Sequence, residues 1–270
     1  MSDAAHGLDA PVGVFDSGVG GLSVLREIRR ELVHENLIYL ADSKYAPYGD
    51  RDPDYIISRT RAIARFLHDH EAKAIVVACN TATGVAVSAL RREWSMPIVG
   101  IEPAVKPAVG QTKSGVIGVL STTQTAASEK FSRLVAEHGG GARILVQSCP
   151  GLVEQVERGE LDTPETQAMV ERFVQPLVIE GADTLVLGCT HYPFLMNAIE
   201  KAAGPGVSII DPAVAVARQL HRRLEAEHLL SDRVTEGTDR FFTTGDRETV
   251  EQTIRELWRA TVTVTPAVAD

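Results

Sequence analysis

Cysteine is scarce in this 270-residue chain: three residues, an odd number and no basis for a disulfide framework. No stretch reaches 18 uninterrupted apolar residues, so no transmembrane span is expected. The start, MSDAAHGLDA, lacks the basic residues and apolar run of a secretory leader. Positive charge is also short. Lys plus Arg number 27 against 36 Asp plus Glu, a formal net charge of −9. That balance argues against nucleic acid or a membrane surface as the main partner. These absences exclude a secreted disulfide scaffold and a membrane protein, and make a reducing cytoplasmic setting the expectation. What is present is a globular composition, 44% apolar and 23% charged, with length for one large domain or two ordinary ones.

Short apolar runs alternate with longer helical patterns, the rhythm of an α/β fold. Val12-Gly13-Val14-Phe15 reads as a strand and Leu22 to Leu32 as a helix. Leu37 to Leu40 is the next strand, followed by a helix over about 54–70. Ala74 to Ala78 is apolar almost without break, as in a parallel strand buried on both faces. A helix over Ala82 to Trp94 leads to a strand at Ile98 to Ile101. The pattern then recurs, with strands at Val116 to Leu120, Ile144 to Val146, Thr184 to Leu187 and Val207 to Ile210. Four landmarks repeat in order. Phe15 precedes Leu120 by 105 positions, Ile38 precedes Ile144 by 106, Cys79 precedes Cys189 by 110, and Ile101 precedes Ile210 by 109. The offsets imply two similar halves, each a mainly parallel sheet flanked by helices, although any α/β chain repeats its units loosely. The tail from Ala213 reads as a helix to about Leu229, an edge strand over Arg240 to Thr243, and a helix from Asp246 to about Ala260.

Parallel α/β sheets bind ligands at the carboxyl ends of their strands. The residues leaving those ends are Asp16-Ser17 with Gly18-Val19-Gly20-Gly21, Asp42-Ser43 with Ala46-Pro47-Tyr48-Gly49, and Cys79-Asn80-Thr81. The second half offers Ser121-Thr122-Thr123, Cys149-Pro150 and Cys189-Thr190-His191. Cys79 and Cys189 stand at the same step of the two halves. Each follows an apolar strand, and each precedes a polar pair and a helix. A helix N-terminus stabilises an anion and favours a thiolate there, and Asn80, Thr81 and Thr190 are suitable capping residues. A cysteine at the end of a buried strand can also be no more than a small hydrophobe. The matching positions favour chemistry.

Two cofactor readings are weaker. Gly18-Val19-Gly20-Gly21-Leu22-Ser23 nearly matches the dinucleotide fingerprint, and Asp42 follows at about the right distance, but Asp16 would sit beside the pyrophosphate. Cys79, Cys149, Cys189 and His191 have zinc-ligand chemistry without chelating spacing, so no metal is expected. Lys44, Lys73 and Lys106 stand in no context that suggests pyridoxal phosphate, and no cofactor is expected. A small-molecule binding protein would also have two facing halves, but has no need of paired thiols.

The motifs Phe15-Asp16-Ser17-Gly18-Val19-Gly20-Gly21, Ala46-Pro47-Tyr48-Gly49, Ala78-Cys79-Asn80-Thr81-Ala82 and Gly188-Cys189-Thr190-His191-Tyr192-Pro193 together resemble the glutamate racemases. The resemblance runs from about Pro11 to Pro212 and departs from the family pattern at none of these motifs. It implies a cofactor-independent racemase that interconverts L- and D-glutamate for peptidoglycan. It also implies an active site between two domains, residues 1–103 with a returning segment 213–270, and residues 104–212. Carried over, Cys79 and Cys189 are the acid–base pair, with Asp16 and His191 as their helpers. Asp16, Ser17, Tyr48, Gly49, Asn80, Thr81, Thr123, Thr190 and His191 would contact glutamate, and Asp42 and Glu157 would support them. A cytoplasmic homodimer is expected. The alternative is a racemase of aspartate or another amino acid. A decarboxylase of the same superfamily keeps only one such cysteine.

Overall fold

The structure, a computed structural model, describes residues 7–269; the first six residues of the polar start lie outside them. The first half runs β1 (Val12–Asp16), α1 (Leu22–Glu31), β2 (Leu37–Ala41), α2 (Pro53–Asp69), β3 (Ala74–Val77), α3 (Asn80–Glu93) and β4 (Ile98–Gly100). The second runs α4 (Val105–Gln111), β5 (Val116–Ser121), α5 (Thr123–Ala127), α6 (Glu129–His138), β6 (Arg143–Ser148), α7 (Leu152–Glu157), α8 (Pro164–Ile179), β7 (Thr184–Gly188), α9 (Met196–Ala203) and β8 (Ser208–Ile210). The tail adds α10 (Ala213–Ala226), β9 (Asp239–Thr243), α11 (Arg247–Trp258) and β10 (Val264–Pro266).

Two parallel sheets result, flanked by helices. One has the order β10-β9-β2-β1-β3-β4 and the other β6-β5-β7-β8. The shared order β2-β1-β3-β4 and β6-β5-β7-β8 bears out the internal repeat. Strand alternation sends side chains to both faces, and both are covered. In β2, Leu37 and Tyr39 join one apolar cluster while Ile38 and Leu40 join another. The first cluster continues through Leu152, Leu187, Cys189 and Tyr192, so the two halves share packed apolar surface.

The register corrects two landmarks and keeps the others. Val14 pairs with Val76 and Val119 with Val186, which preserves the 110-position match of Cys79 with Cys189. Gly13 pairs with Ile38 whereas Gly118 pairs with Leu145, so Ile38 matches Leu145 and not Ile144. Val76 pairs with Val99 and Val186 with Ile210, so the partner of Ile210 is Val99 and not Ile101. The loops between strands differ in length, and apolar runs alone do not reveal a one- or two-residue slip.

The tail also departs from its reading. β9 is no edge strand: it lies between β2 and β10. The true edge is β10, three residues ending in Pro266, where a missing N–H costs no ladder bond. The expected helix to Leu229 stops at Ala226, and His228 takes a positive φ of 54° just beyond. Helix α3 starts at Asn80 instead of Ala82, because Cys79 caps it.

At the amino-terminal ends of the strands, away from the thiols, Lys73 and Glu35 form a buried ion pair of 2.6 Å. Lys73 Nζ also donates to the Leu8 carbonyl, and Glu35 Oε1 accepts from the Ser231 N–H. Removing one member leaves an uncompensated buried charge. Lys73→Met is expected to cost about 3–5 kcal/mol in urea unfolding, and the double variant Lys73→Met/Glu35→Met to recover most of that loss. Equal losses in the single and double variants would contradict this account.

Candidate active site

The site is built where β1, β3, β5 and β7 end. Beyond β3, Cys79 has extended backbone (φ −82°, ψ 121°) and caps α3, its Sγ accepting from the Ala82 N–H at 3.5 Å. Ser17 Oγ lies 3.8 Å from the same sulfur. Cys79 is 4% exposed and Cys189 6%, so both thiols are enclosed. Burial pushes the Cys79 thiol up, with Asp16 and, more weakly, Cys189 adding to the effect.

Around Cys189 the second half forms a chain of contacts. Cys189 Sγ is 3.7 Å from His191 Nδ1, and His191 Nε2 is 2.6 Å from Glu157 Oε1. The same carboxylate oxygen accepts from the Val19 N–H at 2.8 Å, reaching the glycine loop of the first half. That loop is open to Glu157 and His191 because it lacks side chains. A Cβ on Gly18 would overlap the Glu157 carboxylate, and one on Gly20 would overlap the His191 ring. The glycines that resembled a phosphate cradle admit two protein side chains instead. Burial alone would lower the His191 pKa, but Cys189 and Glu157 outweigh it and hold the imidazole well above its usual 6.5.

Asp16 sits between the halves. It is fully buried, accepts from the Gly18 N–H at 3.2 Å and from Thr190 Oγ1 at 3.3 Å, and is raised by burial against the pull of His191. Ser23 Oγ donates to the Thr190 carbonyl at 2.9 Å, a second link across the cleft. Opposite, Thr81 Oγ1 is 3.0 Å from Thr122 Oγ1. Gly49 lies against Thr122, where a Cβ would stand 3.1 Å from the threonine Cβ. Tyr48 donates its hydroxyl to Asp42, whose carboxylate also takes two bonds from Arg59, at 2.9 and 3.1 Å. Asp42 thus orients Tyr48 from behind. Asn80 is buried, and among the described residues neither end of its amide has a partner, nor has the Ser121 hydroxyl. Buried polar groups are normally paired, so these atoms suit a polar ligand.

The structure therefore brings Cys79, Cys189, Asp16, Ser17, Asn80, Thr190, His191 and Glu157 into one buried region, with Tyr48, Gly49 and Thr81 along its side. Thr123 is exposed on the first turn of α5, and Thr122 makes the contact with Thr81 instead. The sequence places Thr122 at this strand end without marking it over Thr123 as the contact, although its position as an N-cap gives a local signal. Cys149 occupies the place that Asp42 has in the first half: the Cys149 N–H donates to the Ser121 carbonyl as the Asp42 N–H does to Asp16. Its thiol is buried against the Gln147 carbonyl and pushed up to about 12, by burial and by Cys189. No group of three or more His, Cys, Asp or Glu side chains among the described residues could hold a metal ion.

Two repeated α/β halves with a thiol at the same strand end of each are the frame in which the similar proteins are compared. Residues 13–220 match the family described as Asp/Glu/hydantoin racemase. The chain is 51% identical over 263 residues to the glutamate racemase of Methylococcus capsulatus (strain ATCC 33009 / NCIMB 11132 / Bath), covering 97% of each. Its structure resembles a glutamate racemase isoform from Bacillus anthracis with a TM-score of 0.89, at 35% identity and 98% coverage of both chains. It resembles the Escherichia coli glutamate racemase, crystallised with L-glutamate and an activator, with a TM-score of 0.84 at 31% identity, covering 96% of this chain and 98% of that one. The chain belongs to the Asp/Glu/hydantoin racemase family and is an isomerase.

The raised His191 pKa has a sign that can be tested. A protonated imidazole stabilises the fold fully below its unfolded value of about 6.5, and that contribution is lost as pH rises through the higher folded value. The difference in thermal midpoint between wild type and His191→Asn should therefore shrink as pH rises from about 6 to 9. A difference that grows over this range would contradict the assignment.

Proposed function

We propose that this protein is a cofactor-independent glutamate racemase that works with two cysteines, one on each face of Cα. The observation that carries the reading is the placement of Cys79 and Cys189 at equivalent strand ends of the two halves, both enclosed. Inverting a stereocentre requires a proton to leave one face and another to arrive at the opposite face. Two groups on opposite sides do this without moving around the substrate: one enters deprotonated, the other protonated, and the roles exchange for the reverse direction.

The neighbours divide the remaining work. His191 stands where it can take and return the Cys189 proton, with Glu157 holding the imidazolium. Asp16 offers a buried carboxylate to the substrate ammonium. Asn80 and Ser121 offer unpaired donors, and Ser17, Thr81 and Thr190 offer hydroxyls or N–H groups to the carboxylates. In an enclosed site, such aimed donors stabilise the developing carbanion more strongly than water does. Glutamate as substrate is supported by the names of the similar proteins and by the A-P-Y-G and G-C-T-H-Y-P motifs. We place residues 1–103 and 213–270 in one domain and 104–212 in the other, a division supported by the two sheets. D-glutamate supply to peptidoglycan by a cytoplasmic homodimer follows from the family resemblance. No helix among the described residues is long and apolar enough to cross a membrane.

Cys79→Ser and Cys189→Ser are each expected to lower kcat by about 10²–10⁴-fold, because a serine hydroxyl is a far weaker acid than a thiol. Residual α-proton exchange in D₂O should favour one enantiomer in the first variant and the other in the second. Cys149→Ser should retain most activity. Full activity in either of the first two variants, or no enantiomer bias, would refute the two-base arrangement. A higher kcat/KM for aspartate than for glutamate would transfer the protein to the alternative substrate.

A further inference from the structure

Resting on the reading of the protein as a glutamate racemase, we propose that Arg59 is a positioning residue that sets the affinity for glutamate. Anchored by the Ala269 carbonyl, it fixes Asp42 and, through Asp42, the turn that carries Tyr48 and Gly49. Arg59 lies on α2 and is 8% exposed, an unusual place for a guanidinium. Each of its three nitrogens donates. Nε and Nη2 reach the two oxygens of Asp42 at 3.1 and 2.9 Å, and Nη1 reaches the Ala269 carbonyl at 2.7 Å. The flat face of the guanidinium is used as well, with Cζ 3.6 Å from the centre of the Tyr45 ring.

Asp42 is fully buried and collects further donors. The Thr244 hydroxyl donates to Oδ1 at 2.9 Å and the Tyr48 hydroxyl donates to Oδ2. One carboxylate thus ties together α2, the stretch after β2 and the residue that follows β9. Ala269, buried in the same apolar cluster as Tyr48, adds the segment beyond β10.

The other end of this network reaches the cleft. Tyr48 opens a single turn, Tyr48–Asp50, and that turn meets α5 of the second half. Gly49 packs on Thr122, and Thr122 bonds to Thr81. Just beyond the turn, the Arg51 carbonyl accepts from Gln124 Nε2 at 2.8 Å, another link between the halves. The Tyr48 hydroxyl is committed to Asp42, so the turn offers the substrate its backbone and the placement of Gly49 against Thr122. An arginine can hold both oxygens of a carboxylate and still donate outward. Lysine has the same charge but no fork. The network fixes a wall and moves no proton, so its loss belongs in binding and not in turnover.

The test measures KM and kcat for L-glutamate in the full-length wild type and its variants. Arg59→Lys should raise KM about tenfold, the equivalent of one charge-assisted hydrogen bond, with kcat changed less than about twofold. Tyr48→Phe removes a single hydroxyl and leaves the pairing of Arg59 with Asp42 in place. It should raise KM to a similar degree. The double variant should exceed neither single variant by more than about twofold, because both act through one chain of contacts. Arg61→Gln breaks the exposed pair with Glu93 on the same helix and should change neither constant. A wild-type KM in Arg59→Lys or in Tyr48→Phe would overturn the proposal. So would a loss confined to kcat, KM effects that multiply in the double variant, or an equal rise in KM in Arg61→Gln. A wild type that does not racemise glutamate would instead overturn the parent reading, and this one with it.

Discussion

The site depends on one steric permission: the first half presents bare backbone at Gly18 and Gly20, and the second half inserts Glu157 and His191 there. The 2.8 Å bond from the Val19 N–H to Glu157 is possible only because no Cβ stands in the way. From that contact the rest follows in order. Glu157 holds the imidazole, the imidazole meets Cys189, and Asp16 at the end of β1 is brought to Thr190. The close approach also explains why polar groups can be buried here at all. Each carboxylate has a donor from the opposite half, so the desolvation that burial imposes is offset by bonds across the cleft.

The repeat supplies two equivalent scaffolds, and the side chains make them unlike. Cys79 and Cys189 preserve the match. Asp16 and Ser121 stand at equivalent strand ends, one a buried carboxylate between the halves and the other an unpaired hydroxyl. Asp42 and Cys149 are equivalent as well, yet one is an acid clamped by Arg59 and Tyr48 and the other a protonated thiol against a carbonyl. On the proposed two-thiol reading, symmetry is needed only in the two groups that handle the proton, and the supporting residues on the two sides are free to differ.

Strand alternation and the matched cysteines were legible in the sequence because both are local or periodic signals. The offsets of 105 and 110 positions agree with the equivalent pairings of β1 with β3 and of β5 with β7. The registers of β2 against β6 and of β4 against β8 were not legible, since an apolar run such as Leu37 to Leu40 has no internal mark of a one-residue slip. Strand β10 escaped because three residues with a proline give no period. The role of the glycine loop escaped for a different reason. The side chains that occupy it come from residues 157 and 191, and nothing near Gly18 announces them. Glu157 itself, at the end of a short helix of mixed polarity, came from family resemblance and not from pattern.

The placement of β9 beside β2 has a consequence for how the chain is made. Between Ala41, where β2 ends, and Asp239, where β9 begins, the ribosome must add roughly 200 residues, about 10–40 s of synthesis at ordinary rates. Throughout that interval the nascent first sheet ends at β2, with an apolar strand and its unpaired N–H and C=O groups uncovered. The second sheet, contained within residues 116–210, can pair all four of its strands before the first is complete. Translation thus finishes the inner segment before the outer one that encloses it, and β2 is the strand whose edge waits for its partner in the meantime.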